Sequence, residues 1–247
     1  MKKSFVAYLT AGDPTLAATE RFIRAVEEGG ADILELGVPH SDPVADGPVN
    51  LAAASRALAN GTSLRDILAL VKRIKPKIRI VIFTYYNPVL QLGIAEFAKL
   101  CAEAGVYGAL VVDLPPEEGQ EYARALRSQG VNTIFLASPT TDPERLKAIR
   151  EVGTGFLYYV SRTGVTGAQE KLSESLEKEV TALRNVIALP IYVGFGISTP
   201  EQVKTVGQIA DGVVVGSALV KLVAESKSVE EAEMKLKNEV KRLSCSL

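Results

Sequence analysis

The feature of this sequence that most constrains its fold is an alternation between short apolar runs and longer runs with helical periodicity, repeated about eight times. The short runs are rich in Val, Ile and Leu. They lack strict apolar–polar alternation, as expected for parallel strands that are covered on both faces. Eight strand–helix units in one chain indicate a closed barrel. We therefore expect an α/β fold, a single (β/α)8 TIM barrel with one domain over residues 1–247, and an open doubly wound sheet is the structural alternative.

The predicted elements follow from this periodicity. Strands are expected at Phe5–Leu9, Ile33–Leu36, Ile78–Phe83, Gly108–Val112, Thr133–Ala137, Gly155–Val160, Ile191–Phe195 and Gly212–Val215. Helices are expected at Leu16–Glu28, Ser63–Ile74, Ile94–Ala104, Glu117–Ser128, Pro143–Glu151, Ser173–Asn185, Pro200–Val206 and Val229–Leu243. Ser198 and Thr141 are the expected caps of two of these helices, because Glu201 and Glu144 follow three residues later, as in a capping box.

Composition and charge narrow the class of function. A net charge of -1 and a pI near 6.0 provide no basic field for nucleic acid or for an anionic membrane surface, so we expect a small-molecule or protein partner. The two cysteines, Cys101 and Cys245, show no CxxC spacing, which fits a reducing compartment without a disulfide framework. We find no signal-peptide pattern and no apolar stretch near the ~20 residues that span a bilayer. We therefore expect a cytoplasmic protein.

Polar residues collect where the predicted strands end, which is where a barrel of this type carries its reactive groups. Glu35 is the most informative, because a charge inside a barrel strand is costly unless it is used. A buried carboxyl keeps its proton to higher pH, which suits a group that gives and takes protons near neutrality. A structural role stays open at this point: an inward Glu35 paired with a backbone amide or a lysine.

Asp46 lies in the Pro- and Gly-rich segment 43–48, which favours a loop. A loop aspartate alone is usually a turn-former. Together with Glu35, one loop away, it predicts two carboxylates at one mouth of the barrel. Such a pair can add a proton at one atom and remove one from another.

Small residues follow the last three predicted strands, at 164–167, 194–198 and 216–218. Unhindered backbone amides, with the N-terminus of a short helix at Ser217, predict an anion site, and barrels commonly bind phosphate at this position. Three such turns favour phosphate over ordinary tight turns. No P-loop or GxGxxG follows a strand, so we expect no nucleotide.

Two further features carry less weight. His40 is the only histidine, and one histidine without Cys or His neighbours does not make a zinc site, so we expect it to line the mouth without a catalytic role. Tyr158 and Tyr159 are neighbours on one strand and must point to opposite faces. Only the inward tyrosine could therefore touch a substrate.

Several motifs together resemble the alpha subunit of tryptophan synthase over nearly the whole chain. They are YLTAGDP from Tyr8, LELGVPHSDPVADGP from Leu34, YYNP from Tyr85, VDLP from Val112, SRTGVTG from Ser161, GFGIS from Gly194 and GSALV from Gly216. The second motif is highly specific. The resemblance implies a lyase of tryptophan biosynthesis, with a retro-aldol cleavage of indole-3-glycerol phosphate to indole and glyceraldehyde 3-phosphate. It also implies that this chain uses no metal or organic cofactor.

The resemblance also implies roles for individual residues. Glu35 matches the family's proton-shuttling glutamate, and Asp46 matches the aspartate that hydrogen-bonds the indole nitrogen. Thr166 matches a loop residue that closes over the site and orients the aspartate. Phosphate contacts are implied at Gly167, Gly196, Gly216 and Ser217. The indole and glycerol pocket is implied to contain Tyr8, Phe83, Tyr85, Tyr158 and Phe195.

The family works as an alpha2-beta2 heterotetramer in which indole passes through a tunnel to the beta subunit, so pyridoxal phosphate is expected only in that partner. The resemblance implies that the loops of Asp46 and Thr166 and the turn 113–115 face the beta subunit. The sequence departs from the family at two places, with His40 where Phe is common and Val49-Asn50-Leu51 where Thr-Ile-Gln is common. These departures bear on partner contact or loop closure.

Two alternatives stay open. Another phosphate-handling barrel, such as an isomerase or indole-glycerol-phosphate synthase, would need a late glutamate with an early lysine, or lysines at strand ends, and neither appears in those places. A catalytically weak barrel that acts mainly as an allosteric activator of the beta subunit is the second alternative. The intact Glu35 and Asp46 argue against it, whereas the changed residues 49–51 keep it open.

Overall fold

The computed structural model describes residues 3–161, 169–194 and 196–247, and the side chains of the second range from residue 174 onward. Eight parallel strands pair in chain order, and the last strand returns to the first, which closes a barrel. The predicted (β/α)8 TIM barrel is therefore confirmed, and the open doubly wound sheet is wrong. The strands are β1 (Ser4–Thr10), β2 (Ile33–Gly37), β3 (Arg79–Thr84), β4 (Gly108–Val111), β5 (Asn132–Ala137), β6 (Leu157–Val160), β7 (Ile191–Gly194) and β8 (Gly212–Val215).

Helices connect the strands and cover the outside of the barrel. They are α1 (Leu16–Glu28), α2 (Pro48–Ala59), α3 (Leu64–Ile74), α4 (Tyr86–Leu92), α5 (Ile94–Glu103), α6 (Gln120–Ser128), α7 (Pro143–Val152), α8 (Gln169–Arg184), α9 (Pro200–Ile209), α10 (Ser217–Ala224) and α11 (Val229–Ser244). None of the helices in the described part of the chain is long and apolar enough to cross a membrane.

Two hydrophobic regions contain most of the buried apolar side chains of the described residues. The larger lies between the outward faces of the strands and the helices. The smaller fills the barrel itself with one buried side chain from each strand or from the residue just before it: Val6, Ile33, Val81, Leu110, Ile134, Phe156, Tyr192 and Val214. We call this ring the inner layer. Since it blocks the barrel, any site at the carboxyl ends of the strands has a closed floor.

The sequence did not predict α2 or α4. The buried residues of α2 are only Ala53, Ala54 and Ala57, so its apolar face is too weak to stand out, and the helix follows a loop rich in Pro and Gly. The seven residues of α4 include Pro88, which is tolerated there because it lies in the first turn.

The two predicted helix caps are each wrong by one residue. Thr199, not Ser198, caps α9 and forms a capping box with Gln202. Asp142, not Thr141, caps α7. In both helices a proline occupies the first helical position, which proline favours, so the cap is the residue directly before it.

Candidate active site

The next ring of inward positions lies two residues further along each strand and opens to the carboxyl end of the barrel. It consists of Tyr8, Glu35, Phe83, Val112, Leu136, Tyr158, Gly194 and Gly216. Because the ring positions at the end of β7 and directly after β8 are glycines, this side of the ring carries no side chains. The result is a cavity of about 530 Å³ above the inner layer.

Glu35 lies in the middle of β2, level with Tyr8 on β1 and Val81 on β3. Its side chain lines the cavity, yet the residue is only 1% exposed. One carboxyl oxygen, Oε1, is buried and has no hydrogen-bond partner among the described residues. Burial raises the pKa of Glu35 to about 8. A carboxyl in this state is neutral at pH 7 and holds a proton that it can donate.

Asp46 reaches the same cavity from the loop between β2 and α2. The hydroxyl of Tyr85 donates to its Oδ2 at 3.1 Å, and the amide of Asn50 donates to its Oδ1 at 3.4 Å. Burial raises the pKa of the Asp46 carboxyl, and the two hydrogen bonds oppose that rise. The structure therefore brings the two predicted carboxylates to one cavity, in two different environments.

Aromatic side chains form the walls beside Glu35. Tyr8 and Phe83 meet edge to face, with their ring centroids 5.2 Å apart. Tyr158 points into the cavity, whereas the hydroxyl of its neighbour Tyr159 donates to Glu179 on α8, as the predicted opposite orientation requires. Burial raises the pKa of both Tyr8 and Tyr158, so these phenols stay neutral.

Two glycines make room for these tyrosines. A Cβ atom on Gly37 would lie 2.2 Å from the hydroxyl of Tyr8, and one on Gly194 would lie 2.5 Å from the hydroxyl of Tyr158. Both distances are too short for non-bonded atoms. The glycines therefore fix where the two hydroxyl groups can lie.

The β7–β8 side of the cavity contains Gly196, Gly216 and Ser217. Ser217 begins α10, and the preceding Gly216 provides no capping side chain, so the helix N-terminus is open toward the cavity. Backbone N–H groups at such a terminus attract anions. The side chain of Tyr8 lies next to Gly216, which connects this corner with Glu35.

Three of the predicted site residues, Thr166, Gly167 and Phe195, lie outside the described residues. Tyr85 is buried but is not part of the cavity wall; it contributes through Asp46. His40 stacks on Tyr85 with ring centroids 4.9 Å apart and lines a neighbouring depression.

Sequence reasoning missed several cavity residues, among them four on or next to the strands, and one polar contact. Val112, Leu136, Val160 and Val214 line the cavity, and the inward parity of their strands could have identified them. The hydrogen bond from Asn50 to Asp46 had a weaker signal, since Asn50 stood out in the sequence only as a departure from the family pattern.

Among the described residues no cluster of three or more His, Cys, Asp or Glu side chains could hold a metal ion.

Comparison with known proteins decides the family. A sequence model described as "Tryptophan synthase alpha chain" matches residues 1–246. The chain belongs to the tryptophan synthase alpha chain family. This membership confirms the resemblance carried by the sequence motifs, and it excludes the alternative of a different phosphate-handling barrel.

Relatives and solved structures of the tryptophan synthase alpha chain family agree with this chain over almost its whole length. The alpha chain of Geobacter sp. (strain M21) is 50% identical over 94% of this chain and 88% of its own. That of Geotalea daltonii is 46% identical over 100% and 94%. The crystal structure of the alpha subunit from Legionella pneumophila superposes with a TM-score of 0.91 at 35% identity, covering 99% of this chain and 92% of that one.

A structure of the tryptophan synthase a2b2 complex from Pyrococcus furiosus, which concerns mutual activation in that complex, superposes with a TM-score of 0.89 at 41% identity. It covers 99% of this chain and 100% of the other. The barrel of this chain is thus the barrel of the family.

Proposed function

We propose that this chain is the alpha subunit of a tryptophan synthase and cleaves indole-3-glycerol phosphate to indole and glyceraldehyde 3-phosphate. The observation that carries the proposal is the state of Glu35. It is a buried carboxyl with a pKa near 8 and an unpartnered oxygen, in a cavity that also contains Asp46 and an open helix N-terminus. A structural role for Glu35 predicts a partner for that oxygen, and none is present among the described residues.

The first step is proton transfer to the substrate ring. Glu35 is protonated at neutral pH and donates its proton to carbon 3 of the indole, which places a positive charge on the ring and its nitrogen. Asp46, held by Tyr85 and Asn50, accepts a hydrogen bond from the ring N–H and stabilises that charge.

The second step breaks the carbon–carbon bond. The Glu35 carboxylate now removes the proton from the hydroxyl on the side-chain carbon attached to carbon 3. The electron pair of the broken bond returns to the ring and restores its aromaticity, while the side-chain carbon becomes the aldehyde carbon. Glu35 ends the cycle protonated, so the reaction needs no external acid or base.

The two ends of the cavity suit the two ends of this substrate. We propose that Gly196, Gly216 and Ser217 bind the phosphate at the N-terminus of α10, together with Gly167. Tyr8, Phe83 and Tyr158 contact the indole and glycerol portions from the cavity wall. The family resemblance adds Phe195 to this pocket and assigns to Thr166 the closure over the substrate. These assignments agree with the charge of the ligand at one end and its aromatic ring at the other.

The family and the Pyrococcus furiosus complex support a beta subunit as partner. We propose an alpha2-beta2 assembly in the cytoplasm, with pyridoxal phosphate in the beta subunit and no organic cofactor in this chain. The loops of Asp46 and Thr166 and the turn 113–115 would face that partner.

The test is the release of indole from indole-3-glycerol phosphate by the purified chain, with and without a tryptophan synthase beta subunit. We expect indole and glyceraldehyde 3-phosphate in equal amounts, and a loss of about 10³-fold in Glu35→Gln, since the amide cannot transfer the proton. Indole release that persists in Glu35→Gln would exclude the mechanism. Acceleration of the beta subunit without any indole formation would identify the chain as an activator instead.

A further inference from the structure

Asn50 holds the second oxygen of Asp46. It lies in the first turn of α2, lines the cavity, and its amide nitrogen is 3.4 Å from Oδ1 of Asp46. The hydroxyl of Tyr85, from the end of β3, occupies the other oxygen. Two donors from two different elements thus hydrogen-bond to one carboxylate, one at each oxygen. A donor on each oxygen restricts the rotation of the carboxylate.

The orientation of the Asn50 amide is dictated by its neighbour. An ionised carboxylate only accepts hydrogen bonds, so the NH2 group of Asn50 must face Asp46 and its carbonyl oxygen must face away. That carbonyl oxygen, Oδ1, is buried and has no partner among the described residues. A buried acceptor without a partner costs free energy. Asn50 therefore does not contribute to the stability of the fold through this oxygen. A role in the cavity beside Asp46 explains the residue better.

We infer that Asn50 is a positioning residue that keeps the carboxylate of Asp46 ionised and aimed into the cavity for the cleavage reaction. This inference rests on the proposed function, because it assigns Asn50 a task only if Asp46 stabilises the charged ring. The proposed active site then contains a positioning residue in addition to the two carboxylates.

Few groups in the described part of the chain surround Asp46. Tyr85 faces Asp46 from β3, with His40 stacked behind it, and Tyr8 and Glu35 face the cavity from β1 and β2. None of the described cavity residues is a lysine or arginine. Among the described residues, Asn50 and Tyr85 are the hydrogen-bond donors that oppose the rise of the Asp46 pKa on burial.

Activity requires ionised Asp46, so kcat/KM falls as the pH drops through the Asp46 pKa. Removing the Asn50 donor raises that pKa and shifts the acid limb of the pH profile to higher pH. A carboxylate in place of the amide adds a like charge and shifts it further.

The experiment compares Asn50→Leu and Asn50→Asp with the unmodified chain, using the pH dependence of indole release. We expect the acid limb to move up by about half to one pH unit in Asn50→Leu and by more in Asn50→Asp. We expect kcat near neutrality to fall about tenfold in Asn50→Leu. The affinity for indole-3-propyl phosphate should change less than about twofold, because that analogue carries no ring charge.

Two measurements separate positioning from a structural role. The melting temperature of Asn50→Leu should equal or exceed that of the unmodified chain, because the substitution removes the buried Oδ1 that has no hydrogen-bond partner among the described residues. Leu51→Ala, in the same helical turn but outside the cavity wall, is the matched control and should leave the pH profile unchanged. A lowered melting temperature with an unshifted acid limb would overturn the inference.

A third measurement separates this inference from the proposed function. In 13C NMR of the aspartate carboxyls, the Asp46 resonance should titrate at higher pH in Asn50→Leu than in the unmodified chain, whether or not indole is released. If the unmodified chain forms no indole, the proposed function fails and the NMR titration still decides what Asn50 does to Asp46. An unchanged Asp46 titration contradicts the inference.

Discussion

Glu35 and Asp46 carry the same chemical group into the same cavity from opposite kinds of structure. Glu35 belongs to a strand between two other strands, is almost completely buried, and has an oxygen without a partner. Asp46 belongs to a loop, is half-buried, and has a donor on each oxygen. The comparison explains how two carboxyl groups can differ in protonation at one pH.

The difference follows from solvation and hydrogen bonding. A carboxyl that is buried without donors favours the neutral form, whereas donors to the carboxylate favour the charged form. Glu35 therefore suits proton transfer, and Asp46 suits the stabilisation of positive charge. The hydrogen-bonded strand holds Glu35 in a fixed position. Asp46 lies in a loop, so the position of its side chain depends on Tyr85, on Asn50 and on the helix that follows.

The largest effect on the loop side is expected from Asp46→Asn. This change removes the charge but keeps the shape, and we expect kcat/KM to fall about 10²-fold because the ring charge loses its counterpart. The basic limb of the pH profile, set by Glu35, should stay near pH 8. A shift of the basic limb together with the loss would mean that the two carboxyls do not act separately.

Tyr85→Phe tests whether the loop carboxylate depends on its donors. The phenylalanine retains the ring but loses the hydrogen bond to Oδ2 of Asp46 and the acceptor for the backbone N–H of Ala45. We expect kcat/KM to fall about tenfold and the acid limb to shift to higher pH, because the Asp46 pKa rises without this donor. Equal profiles for Tyr85→Phe and the unmodified chain would show that Asp46 does not need the support.

Arg56→Met tests the anchor of α2. Arg56 makes two hydrogen bonds of 2.7 Å to Asp13, which is 3% exposed, and so ties α2 to the loop after β1. Because Arg56 is itself 40% exposed, we expect a loss of about 2 kcal/mol of unfolding free energy and only a few-fold loss of kcat/KM.

The matched control for this anchor is Arg24→Met, which breaks the exposed pair with Glu20. It should change the unfolding free energy by less than about 0.5 kcal/mol in urea denaturation. Equal losses in the two variants would contradict the anchoring role of Arg56.

Much of the fold could be predicted because parallel barrel strands carry a strong local signal. All eight strands were predicted from apolar runs such as Gly212–Val215, since burial on both faces leaves little room for polar residues. The helix α2 could not be predicted in the same way, because its contact face is made of alanines. Its position depends on contacts with β1 and α10 that are far away in sequence.

The site was predictable in part for a similar reason. Glu35 stood out because a lone charge in an apolar strand is unusual. Asp46 stood out because it follows Glu35 by one loop, at the same end of the barrel. The support from Tyr85 and Asn50 depends on how the loop folds back over β3, which no local pattern reveals. The unpartnered state of Glu35 is likewise a property of the assembled barrel.

The most direct measurement is the titration of the Glu35 carboxyl in the folded chain. It can be followed by 13C NMR of glutamate side-chain carboxyls, with Glu35→Gln identifying the resonance. We expect this carboxyl to titrate near pH 8. Since this pKa lies above that of the unfolded chain, the stability of the unmodified chain relative to Glu35→Gln should fall as the pH rises from about 4.3 to about 8. A Glu35 carboxyl that titrates near the ordinary glutamate value of about 4.3 would contradict its role as the proton donor at neutral pH.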